Sequence, residues 1–243
     1  MNADWSILWG DPGLAILAGL GVTLQLSIWS LTLAIAIGFL MGTVRWIGWK
    51  IFEPFCWLYV EFARNTPPVV QILFWYFSAS YILPTPAFMV LRDFGYEFGA
   101  AVIALAIYHG AFFAEVIRAG LNAIPRGQFE AARALGLGLT QSLRKVLFPQ
   151  AIRILIPPLL NESTALIKNT SLAMAIGVAE LTFQYRSIDN FLFRGIEALT
   201  AVTVIYLILC LLTVGVGRLI NARLSRHVTA RTAAPIRVGS DMA

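Results

Sequence analysis

The sequence predicts an all-α integral membrane protein with about five transmembrane helices, and three observations carry that reading. Hydrophobic residues make up 58% of the 243 positions and mean hydropathy is +0.76, whereas an ordinary soluble domain is roughly 45–50% apolar. Apolar stretches of about 20 residues, enough to cross a hydrocarbon layer of roughly 30 Å, recur along the chain, some of them interrupted. The Lys and Arg residues behind a formal net charge of +5 gather beside the ends of those stretches, as they do on the cytoplasmic side of a membrane. That placement makes the lipid bilayer the partner of the basic charge and excludes a nucleic acid. Cys56 and Cys210 lie far apart without metal-ligand spacing, and the histidines are His109 and His227. Neither a disulfide scaffold nor a metal site is expected.

The elements follow in order. Residues 1–13 carry Asp4 and Asp11 but no Lys or Arg; a cleavable leader needs a basic start, so none is expected, and the segment is assigned to the outside. Leu14 to Val44 is the first span, longer than one crossing needs and hence tilted or extended past the bilayer. Arg45 and Lys50 behind it put the first loop in the cytoplasm. The second span starts between Phe55 and Val69 and stops near Leu83, where Pro84-Thr85-Pro86 removes backbone donors. Thr66 or Asn65 is expected to cap a helix whose first turn accepts Pro67. Ala87 to Phe98, with Arg92, Asp93 and Glu97, reads as an external loop. The third span, Gly99 to about Ala119, leads into Arg118, Arg126, Arg133, Arg144, Lys145 and Arg153, whose density places the connecting stretch inside. The fourth span starts near Ile154 with Pro157-Pro158 in its first turn, and its helix ends after Lys168. Gly177 to Gly195 reads as an external or membrane-surface segment. The fifth span, Ile196 to Gly217, is followed by Arg218, Arg223 and Arg226, which keep the C-terminus inside. A single transmembrane domain thus covers 14–223, and 224–243 is a polar cytoplasmic tail.

The connection 125–150 is a basic amphipathic segment. Ala132, Leu135, Leu139, Leu143 and Val146 recur at the three- and four-residue spacing of one helical face, while Arg133, Gln141, Arg144 and Lys145 occupy other faces. Such a stripe must be buried against something. Gly136 and Gly138 interrupt the run, since glycine readily takes the left-handed conformation that ends a helix. Thr140 can cap a second short helix that Pro149 closes. The expected build is two short helices joined by a glycine turn.

Charged and amide groups inside a membrane are costly, so each is a candidate for facing protein or water. The fourth span has the densest set: Asn161, Glu162, Ser163, Thr164, Lys168, Asn169, Thr170 and Ser171. Asn161, Thr164 and Lys168 share a helical face, whereas Glu162, six residues from Lys168, points elsewhere. Lys168 therefore finds its counter-charge on another helix, at an interface or in a bound anion such as an α-carboxylate, or it snorkels to the outer surface. Arg64 anchors the inner boundary of the second span, and Gln71 is its candidate cargo-facing side chain. Glu115 and Arg118, three apart near the inner end of the third span, form either a local salt bridge or a gate. No GxxxxGK[ST] loop is present to cradle phosphates, so no catalytic residue is expected and the chain is not read as an enzyme.

Glu130-Ala131-Ala132, Gly136 beyond them, and Val146 with Phe148-Pro149 resemble the EAA loop of the membrane subunits of bacterial ABC importers. Isoleucine and leucine are usual where Val146 and Phe148 stand, and both replacements are apolar. The resemblance implies a loop that docks into a groove on an ATPase subunit, with Glu130, Ala131, Ala132, Arg133 and Gly136 as its coupling residues. Asn161-Glu162 followed by Leu166-Ile167-Lys168-Asn169-Thr170-Ser171-Leu172 resembles a motif of the polar amino-acid permeases of that class. Many relatives carry aspartate where Asn169 stands, so no carboxylate role is transferred there. Arg64-Asn65-Thr66-Pro67-Pro68-Val69-Val70-Gln71 looks like the Arg-x-Thr-Pro segment of the same group. The stretches Tyr59 to Asn65 and Pro125 to Gln128 look most like glutamate/aspartate permease subunits.

Covering about Leu20 to Arg218, the resemblance implies a permease subunit of a binding-protein-dependent importer of polar amino acids, glutamate or aspartate foremost, in the bacterial cytoplasmic (inner) membrane. Its substrate path would draw on Lys168, Asn161, Thr164, Glu162, Gln71, Arg64, Thr66 and Glu115. The implied partners are two ATPase subunits, which would bind ATP and Mg, a second permease subunit, identical or homologous, and an external amino-acid-binding protein. The chain itself would bind no cofactor. Two other classes stay open: an ion-coupled secondary amino-acid transporter, although no paired inverted halves are evident, and a non-transporting membrane scaffold. Neither accounts for the spacing from Glu130 to Pro149.

Overall fold

The computed structural model of the chain describes residues 4–232, and every regular element among them is helical. A 3-10 turn at Trp5–Trp9 leads into α1, Asp11–Ile47. At 1.5 Å per residue α1 is about 56 Å long, so it overshoots a bilayer as its sequence requires. The central helix is α5, Tyr96–Asn122, which packs along α1. The two approach closely because α1 presents a stripe of small buried residues, Thr23, Ser27, Ser30, Ala34, Gly38 and Gly42, and α5 answers with Ala100, Ala104, Ala111 and Ala114. In lipid, where apolar burial gives helices little reason to associate, such small-residue seams let dispersion and close backbone approach do so. A Cβ on Gly38 would sit 2.4 Å from Phe113 Cβ, and one on Gly42 would sit 2.5 Å from the Ala114 carbonyl oxygen.

The second span is not one helix. It is α2, Glu53–Asn65, followed after a break at Thr66-Pro67 by α3, Pro68–Ile82. Fifteen residues reach only about 22 Å, so α3 is too short to cross alone. Thr66 does not cap α3, as the sequence suggested; its hydroxyl donates back to the Phe62 carbonyl of α2 at 2.9 Å. The stretch expected to be an external loop is partly helical, forming α4 at Thr85–Asp93, because Pro84-Thr85-Pro86 starts a helix as well as stopping one.

After α5 come α6, Arg126–Ala134, and α7, Leu139–Ser142, joined through Gly136 at φ +78°. The glycine turn is where the sequence placed it. Thr140 is not the cap of α7, which starts from Gly138 without a side-chain bond. Nor does Pro149 close a helix. Residues Leu143–Leu147 widen into a π turn, with the Phe148 amide reaching back to the Leu143 carbonyl, and the chain runs on into α8, Phe148–Asn169. The wider turn gives the proline ring room from the preceding carbonyls, which is where it would clash in an α-helix. Because α8 begins that early, Pro157-Pro158 lie inside it rather than in its first turn.

A 3-10 segment, Thr170–Ile176, connects α8 to α9, Leu181–Leu192. The stretch Gly177 to Gly195, expected as an external or membrane-surface segment, contains α9, which packs on α1 and α10, and Glu180 is wholly buried at its start. The Glu180 carboxylate accepts from the amides of Thr182 and Phe183 at 2.8 and 2.9 Å and from the Tyr206 hydroxyl at 2.7 Å. Each of these bonds offsets the cost of burying a charge. The last helix, α10, runs Gly195–Thr232. It takes in the first part of the expected tail at 224–243, whose remainder, 233–243, lies outside the described residues.

Among the described residues, three helices are long and apolar enough to cross a membrane: α1, α5 and Gly195–Arg223 of α10. Helix α8 has the length, 22 residues, but carries Arg153 and Glu162 within it and Lys168 in its last turn.

Candidate functional site

At one end of the bundle the loop formed by α6, α7 and the π turn is fastened to three long helices. Ile117, Leu121 and Ile124 at the end of α5 pack against Leu143, Leu147, Ala151 and Leu155. Phe129 of α6 meets Trp46 at the end of α1 edge to face, ring centroids 6.0 Å apart. A force on the loop is therefore passed to α1, α5 and α8 through close-packed side chains, which do not compress.

The residues expected to couple divide by burial. Ala132 is buried, while Glu130, Ala131, Arg133 and Gly136 are exposed. The apolar stripe does not stay whole. Leu143 is buried, but Leu135 is 81% exposed, because the glycine turn swings it off the face that α6 buries. Between the loop and the long helices lies a cavity of about 650 Å³, lined by Trp46, Leu121, Arg126, Phe129 and Glu130 among others. The loop thus offers an exposed leucine beside charges of both signs.

One turn or two above the loop, Glu115 joins α1 to α5. It pairs with Arg45 of α1 and, at 2.9 Å, with Arg118. The local Glu115–Arg118 bridge read from the sequence is present, and Arg45 adds an inter-helix partner that spacing could not reveal.

Farther in, α5 and α8 meet through a polar group. His109, 1% exposed, faces Glu162 through Nδ1 at 2.5 Å and the Asn169 amide through Nε2 at 3.1 Å. Glu162 and Asn169 are two turns apart on α8, so one imidazole braces both. Tyr108 and Phe112 flank His109, with ring centroids 5.0 and 6.4 Å away, and the Arg64 guanidinium lies 5.4 Å from the centre of the Phe112 ring. Arg64 and Glu162, from separate stretches of sequence, thus lie at two ends of one aromatic-lined row. Gln71 takes another part: buried, its amide nitrogen donates to the Ala63 carbonyl at 2.9 Å and to the Thr66 hydroxyl at 2.6 Å. These bonds close the break between α2 and α3 and use both amide donors, so the side chain expected to face cargo is committed to the backbone. Thr66 belongs to the same clasp.

Asn161 and Lys168 are exposed, and Lys168 makes no ion pair among the described residues. The Thr164 hydroxyl donates to the Leu160 carbonyl of its own helix at 2.8 Å. Spacing alone did not mark His109. A signal was present, however: a histidine inside an apolar run and a glutamate inside another each need a partner, and they are complementary.

A helical membrane bundle with a loop anchored to its long helices at one end and a braced polar row between α5 and α8 has the build of a transport subunit. The chain belongs to the family described as the binding-protein-dependent transport system inner membrane component, whose pattern matches residues 34–226. It is an integral membrane protein and a non-catalytic permease subunit of an amino-acid ABC transporter. It is similar to the glutamine transport system permease protein GlnP of Escherichia coli (strain K12), 38% identical over 92% of this chain and 99% of that one. The glutamate/aspartate import permease protein GltJ of the same organism is 32% identical over 80% of each chain. Among solved structures, an amino acid ABC transporter with histidines shares the fold at a TM-score of 0.76 and 31% identity, covering 92% of this chain and 100% of that one.

Proposed function

We propose that this subunit carries glutamine, glutamate or aspartate across the bacterial cytoplasmic (inner) membrane, crossing it five times through α1, the broken pair α2–α3, α5, α8 and α10. The N-terminus lies outside, and the loop 125–150 and the C-terminus lie inside. An external binding protein delivers the amino acid; two ATPase subunits, holding ATP and Mg, grip the loops of this subunit and of a second permease subunit, identical or homologous. Sequence features point toward glutamate and aspartate, and the likeness to a glutamine permease adds glutamine. The observation that carries the reading is that α5 and α8 support both the loop and the polar row. Movement of the loop on ATP-driven closure then shifts the same two helices that line the path, which is coupling through the relative stability of two states.

Cargo passes Glu162, Arg64, Lys168 and Asn161, with the Thr164 hydroxyl, whose proton is given to Leu160, left as an acceptor, while Glu115 ties α1 to α5 near the inner exit. The test is uptake into proteoliposomes holding this subunit, its ATPase and its binding protein, with glutamine, glutamate, aspartate and arginine in competition. ATP-dependent uptake inhibited by the first three is expected. Uptake without ATP, or inhibition by arginine alone, would overturn the proposal.

A further inference from the structure

We propose that His109 is a positioning residue for transport: by bracing Glu162 and Asn169 together it holds the Glu162 carboxylate so that its second oxygen, Oε2, meets the ammonium group of the passing amino acid. The inference rests on the reading that cargo passes Glu162, and it adds what makes that residue effective.

The geometry is specific. The His109 side chain is 1% exposed and that of Glu162 17%, so the imidazole is enclosed while the glutamate keeps part of its surface accessible. Only Oε1 of Glu162 is hydrogen-bonded among the described residues, to Nδ1 of His109 at 2.5 Å. The Asn169 amide nitrogen faces Nε2 at 3.1 Å, and an N–H there makes Nε2 the acceptor, leaving Nδ1 as the ring's donor to Glu162. An Nδ1–H donated to Oε1 fixes the carboxylate and leaves Oε2 without a partner among the described residues. The negative charge left facing the path suits an ammonium, which every α-amino acid carries, whatever its side chain. A free glutamate side chain has three rotatable bonds and would lose that freedom on meeting cargo; a braced one has already lost it.

The test uses the full complex of permease, ATPase and binding protein in proteoliposomes, with glutamine or glutamate as the loaded amino acid. Its readouts are maximal uptake rate, the KM for loaded binding protein, and the melting temperature of the purified complex. His109→Ala is expected to lower maximal uptake at least tenfold with KM for loaded binding protein within twofold. His109→Gln, whose amide can still donate to Glu162, is expected to recover at least a third of the rate. In a Glu162→Gln background, His109→Ala should cost less than a further twofold, because the group being positioned has gone. If the His109 and Glu162 effects multiply, or if the His109→Ala rate loss is matched by lost assembly and melting temperature with no rescue by His109→Gln, His109 is structural and the proposal fails. If Glu162→Gln transports normally, the path reading itself fails at that residue. A Glu162→Gln defect beside an unimpaired His109→Ala defeats the positioning role alone.

Discussion

Substituting Gly136 separates the shape of the loop from its contacts. Its φ of +78° lies in the left-handed region, and a Cβ built there meets no atom within 4 Å. Alanine therefore clashes with nothing, and its whole cost is conformational, about 1–2 kcal/mol for an L-residue in that region. An energy of that size changes the ratio of bent to unbent loop by about 5- to 30-fold. Asparagine tolerates the left-handed conformation and should lose little, whereas valine, stiff at its branched Cβ, should lose more than alanine. Gly127, in the first turn of α6, supplies the control: its Cβ also meets nothing and its φ is not positive, so Gly127→Ala should be neutral or stabilising by up to about 1 kcal/mol. The assay is retention of the ATPase on tagged permease across a dilution series, with uptake per ATP hydrolysed measured in parallel. Retention and coupling should fall in the order Gly, Asn, Ala, Val at position 136. Equal behaviour of Gly136→Ala, Gly136→Val and Gly127→Ala would refute the reasoning that the turn aims the loop.

Other consequences follow from the packing. Gly42→Ala places a methyl 2.5 Å from the Ala114 carbonyl oxygen, and backbone cannot yield cheaply, so the complex should lose about 1–3 kcal/mol and melt several degrees lower in detergent; Gly21→Ala, whose Cβ meets nothing, should melt as the parent does. Glu115→Gln leaves Arg45 and Arg118 facing one another, and the loss should approach the lower end of about 3–5 kcal/mol, since 21% of the glutamate side chain stays exposed; chemical denaturation of the detergent-solubilised protein measures it, and Glu115→Asp should recover part. At the N-terminus, hydrogen bonds from the Ser6 side chain and amide, with Arg194 nearby, hold the Asp4 carboxyl below its usual 3.8. A depressed carboxyl contributes stability that is present above the unfolded-chain value and lost as pH falls through the lower folded one. Hydrogen exchange at Trp5–Trp9 should therefore accelerate as pH is lowered below 3.8, after correction for intrinsic rates, and Asp4→Asn should show no such step.

Sequence and structure part company at identifiable residues. Long apolar runs and the charges that flank them mark α1, α5 and α10, because a membrane span is written in composition. Gly136 was legible since few residues other than glycine sit comfortably at positive φ. The prolines misled. Pro149 reads as a stop and Pro157-Pro158 as a start, yet a π turn carries the chain past the first and α8 encloses the pair, an accommodation settled by hydrogen bonds that spacing does not encode. Thr66 showed the right place and the wrong duty, binding back to α2 while Gln71 closes the break. His109 was passed over because its partners lie 53 and 60 residues away, and only the packing of α5 on α8 brings them together. Arg45 and Glu115, 70 residues apart, escaped for the same reason.

The central claim is that the exposed face of the loop is held by an ATPase on the inner side of the membrane. A photo-crosslinking amino acid at Ala131, which is exposed on α6, tests it in native membranes containing the whole transporter, with Phe191, 80% exposed near the end of α9, as the reference position. The account predicts an adduct between position 131 and the ATPase whose yield changes with ATP, and none from position 191. Absence of that adduct from 131 in an assembly that still transports would contradict it.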